Sequence, residues 1–320
     1  MVQGLRGALV AAAATLAALA GCGDDDGVGS GAAETGAALG DAGTLVYALD
    51  GGVRELDPLL ARTRAEQLVT RQAHEPLVET LRGPFGAARR VRGLARSWRA
   101  SRDREIWRFE LRERVRFQDG TPFNAAAVLV NAQRWTEREQ GRTLLPELAA
   151  ADAPRPDLVR FILARPVSDL PRRLASPRLG IVSPAALRRG GGRAGGVARM
   201  DRSGTGPFEL RERERGTIVI ARNVGWWGSR AGLGPALDQV EFRVSESGRE
   251  RLMLLRSGTA QVADSLQPVA RRAIRRDPLL TYVTGTGDRV LGLERSVRGV
   301  ESASGIEPLS QVWLTRVGVE

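Results

Sequence analysis

Histidine, cysteine and close carboxylate pairs do most of the proton transfer, nucleophilic attack and metal binding in proteins. This sequence offers few of them. His74 is the single histidine and Cys22 the single cysteine. One histidine cannot build a multi-histidine metal site or serve most triad arrangements, and there is no Gly-x-Ser-x-Gly elbow and no phosphate-cradling Walker loop. His74 sits in Ala73-His74-Glu75-Pro76-Leu77, where packing at a helix end accounts for it. Gly285-Thr286-Gly287 lacks the third glycine of a dinucleotide fingerprint and a strand–helix context. Carboxylate pairs occur, but no neighbouring residue marks any of them as poised. The expectation is a protein that is not an enzyme and needs no cofactor or metal.

Charge gives a second class to weigh. The chain has 48 basic residues, every one an arginine, and a formal net charge of +11. Nucleic-acid binders usually cluster such charge on one face and interleave aromatic rings. Here the arginines are scattered and often adjoin acids, as in Arg211-Glu212-Arg213-Glu214-Arg215. That pattern reads as solvated, ion-paired surface, so no nucleic-acid partner is expected.

The elements that must position these side chains follow from periodicity. Thr44–Leu49 alternates weakly before Asp50-Gly51-Gly52 and reads as a strand, and Arg64–Leu81 reads as mostly helical with Pro76 interrupting it. In Ile106–Leu111, Trp107, Phe109 and Leu111 share one face, the pattern of a half-buried strand. Asn124 can cap a helix over Ala125–Trp135 that carries Val128, Leu129 and Ala132 on one side. Asp157–Leu163, Thr217–Ala221 and Asp238–Val244 read as strands, and Gly190–Gly196 as a flexible loop. Strands and helices mixed without strict alternation predict an α/β or α+β class.

The first residues address the compartment. Arg6 precedes an apolar run, Ala8–Ala20, that is too short to span a bilayer stably. It ends in Leu19-Ala20-Gly21-Cys22, which resembles the lipobox of bacterial lipoproteins. The resemblance implies a signal peptide over residues 1–21, diacylglycerol on Cys22, export, and anchorage on the periplasmic or extracellular face of the cell membrane. The alternative is an incidental or buried thiol. Gly23–Gly43 has almost nothing to bury, so residues 22–43 are expected to form a flexible tether.

Several segments then resemble, in order, the family 5 extracellular solute-binding proteins, the dipeptide, oligopeptide and nickel group. They are His74-Glu75-Pro76-Leu77-Val78, Gly93-Leu94-Ala95-Arg96-Ser97-Trp98 and Trp107-Arg108-Phe109-Glu110-Leu111-Arg112. Val115-Arg116-Phe117-Gln118-Asp119-Gly120-Thr121-Pro122-Phe123 continues the most specific stretch. Ser203-Gly204-Thr205-Gly206-Pro207-Phe208, Asn223 with Trp226-Trp227-Gly228, and Leu237–Phe242 with Leu255-Arg256-Ser257-Gly258 complete the set.

The resemblance implies a mixed-sheet, periplasmic-binding-protein-like fold (type II, cluster C). It also implies a monomer that captures a peptide or a small anionic or metal-chelate solute for the permease subunits of an ABC transporter. On this reading residues 44–79 and 200–320 form one discontinuous lobe and residues 80–199 an inserted subdomain. The family's large second lobe is not recognisable. Val297–Leu314, with Trp313, resembles the family's C-terminal strand, so an excised lobe rejoined near Gly285–Arg295 is expected. Arg178, in Ser176-Pro177-Arg178, is similar to an arginine that reaches ligand carboxylates in the nickel-type branch, and Arg142 lies in the region of a second. A guanidinium suits that task, although Arg178 also reads as one surface arginine among many. Gly204, Thr205 and Gly206 would let the backbone cross between lobes, and on this resemblance they are also candidate ligand contacts. Trp226 fits either core packing or ligand contact. With the closing lobe largely missing, a tethered scaffold or interaction protein is the alternative function.

Overall fold

The computed structural model describes residues 43–82, 88–189, 202–231, 235, 237–284 and 290–294. β1 (Thr44–Leu49) and α1 (Arg64–Ala73) lead into a two-stranded pair, β2 (Val78–Arg82) and β3 (Ala88–Arg92). A second run supplies β4 (Ala95–Ala100), β5 (Ile106–Leu111), α2 (Ala125–Glu137), α3 (Glu139–Leu144), β6 (Leu148–Arg155), β7 (Leu158–Leu163), α4 (Leu170–Arg173) and α5 (Pro184–Arg189). The third run is β8 (Phe208–Glu214), β9 (Thr217–Arg222), β10 (Gln239–Val244), α6 (Gly248–Arg256), β11 (Val262–Leu266), α7 (Ala270–Arg275), β12 (Leu280–Thr284) and β13 (Val290–Glu294).

Seven strands form one mixed sheet in the order β12-β13-β11-β1-β10-β9-β8. β1 runs parallel to both of its neighbours, and the remaining pairs are antiparallel. A central strand is covered on both faces, which is why β1 alternates only weakly in sequence. Tyr47 faces a core shared with Leu68, Val69 and Phe242, and Ala48 faces the opposite core with Leu255 and Ile274.

β4, β5, β7 and β6 form a separate antiparallel sheet. Trp107, Phe109 and Leu111 of β5 are buried as their spacing predicts, and the Phe109 and Phe161 rings meet edge-on at 5.4 Å. α2 covers this sheet. Its first turn is capped by Asn124, whose Oδ1 accepts from Ala127 N at 3.1 Å. This core also takes Leu59, Leu77 and Val78. The subdomain therefore draws side chains from before residue 80, where the sequence placed its start.

One reading needs correction. The helix expected over Arg64–Leu81 ends at Ala73, and the chain is already a strand at Val78. Thr63 and Glu66 close a capping box at its start. At its end His74 turns extended, and Pro76 has no amide to continue the ladder. Val290–Glu294, within the stretch expected to hold the rejoined junction, forms β13, an interior strand hydrogen-bonded to β11 and β12. Cys22, most of the linker, the glycine loop at residues 190–196, and Val297–Leu314 with Trp313 lie outside the described residues. No described helix is long and apolar enough to cross a membrane.

Candidate functional site

The Ser203–Pro207 segment runs against the last turn of α1 with backbone touching backbone. Gly206 N donates to Ala73 O at 2.8 Å, and Gln118 N donates to Gly204 O at 2.8 Å. A Cβ on Gly204 would sit 1.8 Å from Ala73 O, and one on Gly206 2.5 Å from Gln72 O. Only glycine fits at either position, for steric room and not for a special φ. Gln118 ties the second sheet's loop to the same crossing, its side-chain amide donating to Phe208 O at 2.7 Å.

His74 completes this contact. Its Nδ1 lies 3.1 Å from Thr70 O, so it must be the donor there, and Nε2 then accepts from Ser203 Oγ at 2.8 Å. Burial pulls the imidazole down to about 4, outweighing the help of the Thr70 carbonyl and of Asp57. The ring is neutral at ordinary pH. It holds a crossing in place and has no open edge for chemistry.

Beside it, the buried Glu75 carboxylate joins three segments. Thr205 Oγ1 donates to Glu75 Oε2 at 2.8 Å, Trp227 Nε1 to the same oxygen at 2.9 Å, and Trp226 Nε1 to Oε1 at 3.2 Å. Burial raises the Glu75 carboxyl to about 7; the bonds from Trp227, Thr205 and Trp226 oppose that rise and Glu79 adds to it. Arg112 lies over the Trp227 ring with its central carbon 4.2 Å from the ring centre. Donors distant in sequence thus meet at one side chain that sequence reasoning treated only as part of a motif. A lone acid in His-Glu-Pro-Leu, flanked by residues bound for the core, was the available signal.

The residues singled out from the sequence divide between two places. Gly204, Thr205, Gly206 and Trp226 gather around α1 and Glu75, all buried. The Thr205 hydroxyl and Trp226 indole both point at Glu75 and are held within the protein. Arg142 is exposed on α3 and donates to Glu137 O at 2.7 Å and Thr136 O at 3.3 Å, satisfying carbonyls at the end of α2. No described contact brings it to Arg178.

Arg178 is different. It sits in the short 3-10 turn Pro177–Leu179, next to Gly180, where a Cβ would come 2.8 Å from the His74 Cβ. Its Nη2 donates to Leu59 O at 3.0 Å, while its Nε is buried without a partner. Burial, and then the charge of Arg62, make this guanidinium easier to deprotonate than a free one. Among the described residues no carboxylate pairs with it. Its free donors suit an oxyanion or a carboxylate.

The frame that carries this site has known counterparts. The model of the bacterial extracellular solute-binding proteins, family 5 (middle region), matches residues 90–309. The chain belongs to this family. Curated relatives include a probable D,D-dipeptide-binding periplasmic protein, DdpA, of Escherichia coli K12, 30% identical over 227 residues. The glutathione-binding protein GsiB of E. coli strain 536 is 32% identical over 226 residues. These alignments cover 69% and 68% of this chain but only 43% and 41% of the relatives, so the chain spans less than half the length of the curated relatives it matches.

Among solved structures, AgaA of A. tumefaciens R10 in complex with agropinic acid matches with a TM-score of 0.68 and 25% identity, over 77% of this chain and 48% of that one. NikA of Brucella suis in complex with Fe(III)-EDTA matches with a TM-score of 0.65 and 25% identity, over 76% and 48%. The fold is that of the periplasmic binding proteins, α/β with mixed sheets.

Proposed function

We propose that this protein is the solute-binding component of an ABC importer, held at the membrane by a lipid on Cys22, and that it hands a peptide or a small anionic or metal-chelate solute to permease subunits. Family membership supports the binding role, and one observation carries the choice of solute. Among the described residues, Arg178 is a half-buried guanidinium that meets a single carbonyl and no carboxylate. Desolvating a cation is costly unless an anion compensates it, and a ligand carboxylate would accept from its unused donors in pairs. A role in proton transfer is not part of the proposal, since guanidinium keeps its proton at ordinary pH.

The rival is a tethered scaffold. Its support is that Arg142, Thr205 and Trp226 are all hydrogen-bonded inside the protein, leaving Arg178 as the remaining candidate contact. Calorimetry with dipeptides and with iron or nickel carboxylate chelates separates the two. The binding reading expects saturable heat that Arg178→Ala weakens by roughly ten- to a hundredfold, the value of a charge-assisted hydrogen bond. Equal binding by both proteins removes Arg178 from the site, and absence of heat with every ligand favours the scaffold.

A further inference from the structure

A second cationic feature does not include Arg178 in its lining. Arg96, Arg112, Glu113, Arg114 and Trp227 line an open cleft of about 300 Å³. Arg96 is balanced there, with Glu110, Glu113 and Asp157 all within 3.2–3.7 Å. Arg112 is not. Its Nε donates to Gly93 O at 2.7 Å, its Nη2 reaches Arg92 O only at 3.5 Å, and one face stacks on Trp227. Arg92 repels it, and Glu75 attracts it without pairing. Among the described residues no carboxylate lies within ion-pair distance of Arg112 or Arg114.

Arg114 adds a second unbalanced charge. It is exposed, makes no described hydrogen bond, and is held at φ +59°, the left-handed region that non-glycine residues rarely adopt. A stacked, half-desolvated guanidinium next to a free one is an arrangement that a small oxyanion completes. Each Arg can offer it two N–H donors, and the indole behind Arg112 keeps that guanidinium in place. We infer that the Arg112–Arg114 cleft binds a small oxyanion, a phosphate or a dicarboxylate, at a site separate from Arg178.

The test uses the full chain in neutral detergent, titrated with potassium phosphate and, separately, potassium succinate, each against potassium chloride at matched ionic strength. Calorimetry and tryptophan emission are followed together, because the ligand settles beside the Trp227 ring. The site predicts a saturable response to one or both anions. In the Arg178→Gln background, which removes the other candidate anion contact, the response should persist, and adding Arg114→Gln should weaken it about tenfold. Arg112→Gln should weaken it similarly; because Arg112 is half-buried, the exposed Arg114 decides the matter if that variant fails to fold. A response no larger than that to chloride would overturn the proposal. So would equal binding by Arg114→Gln, or loss of binding in Arg178→Gln, which would assign the anion to the other site.

Discussion

Glu75→Gln should change how the stability of this protein depends on pH. In the fold the Glu75 carboxyl titrates at about 7, against 4.5 when free, because burial outweighs the bonds from Trp227, Thr205 and Trp226. The native state then holds a proton that the unfolded chain releases between pH 4.5 and 7. Stability from this group is therefore greatest below pH 4.5 and falls as pH rises through 7. A displacement of that size is worth about 3 kcal/mol at 1.36 kcal/mol per pH unit.

The neighbouring His74 works in the other direction. Neutral in the fold, and titrating at about 4 against 6.5, it contributes fully above pH 6.5 and loses that contribution as pH falls through 4. Between pH 4.5 and 6.5 the two slopes oppose each other, and this pair leaves the wild-type profile nearly flat. With Gln at 75 only the histidine slope remains. Urea unfolding at pH 4.5, 5.5, 6.5 and 7.5, at constant ionic strength, gives the profiles. Relative to wild type, Glu75→Gln should gain about 3 kcal/mol across that range, on top of any constant offset from the amide. Parallel profiles for the two proteins would show that Glu75 is ionised in the fold throughout, and would refute the reasoning.

Two further outcomes are expected. Gly204→Ala should cost about 3 kcal/mol or more, since its methyl would overlap the Ala73 carbonyl in a backbone-to-backbone contact, and an unchanged urea midpoint would contradict the crossing geometry. Cys22→Ser should release the protein from membranes or block its processing, read by membrane fractionation and gel mobility; wild-type partitioning and migration would rule out the lipid anchor.

Much of this was written in the chain where a side chain's period or a steric demand is local. β5 is legible because one of its faces is solvated and the other is not. The helix from Ala125 is legible because Asn124 announces its start, and Gly204 and Gly206 because nothing larger could stand there. β1 is muted by its central place in the sheet, and β2 was hidden behind a helix whose end depends on His74 and Pro76. The candidate site was less legible still. Arg178 and Arg142 look alike in sequence, yet one meets a lone carbonyl and the other caps a helix end, a difference set by contacts 119 residues away at Leu59 and five or six residues away at Glu137 and Thr136. The role of Glu75 depends on donors 130 to 152 residues further along, which no local pattern reports.

The position of β1 also dictates an order of assembly. Thr44 lies opposite Gln239, and Tyr47 opposite Val262, so both neighbours of the first strand belong to the last third of the chain. The antiparallel sheet has no such wait: Ile106 pairs with Ile162, within one contiguous stretch. Closing a long loop costs more chain entropy than closing a short one, and its contacts reward the chain only afterwards. The β4–β7 layer should therefore close first as the chain lengthens. Meanwhile Leu45, Tyr47 and Leu49 remain an unpaired apolar strand until β10 and β11 arrive. During that interval the chain is open to mispairing and to capture by a holding chaperone, and a slow phase in refolding should report the insertion of β1 between its two late partners.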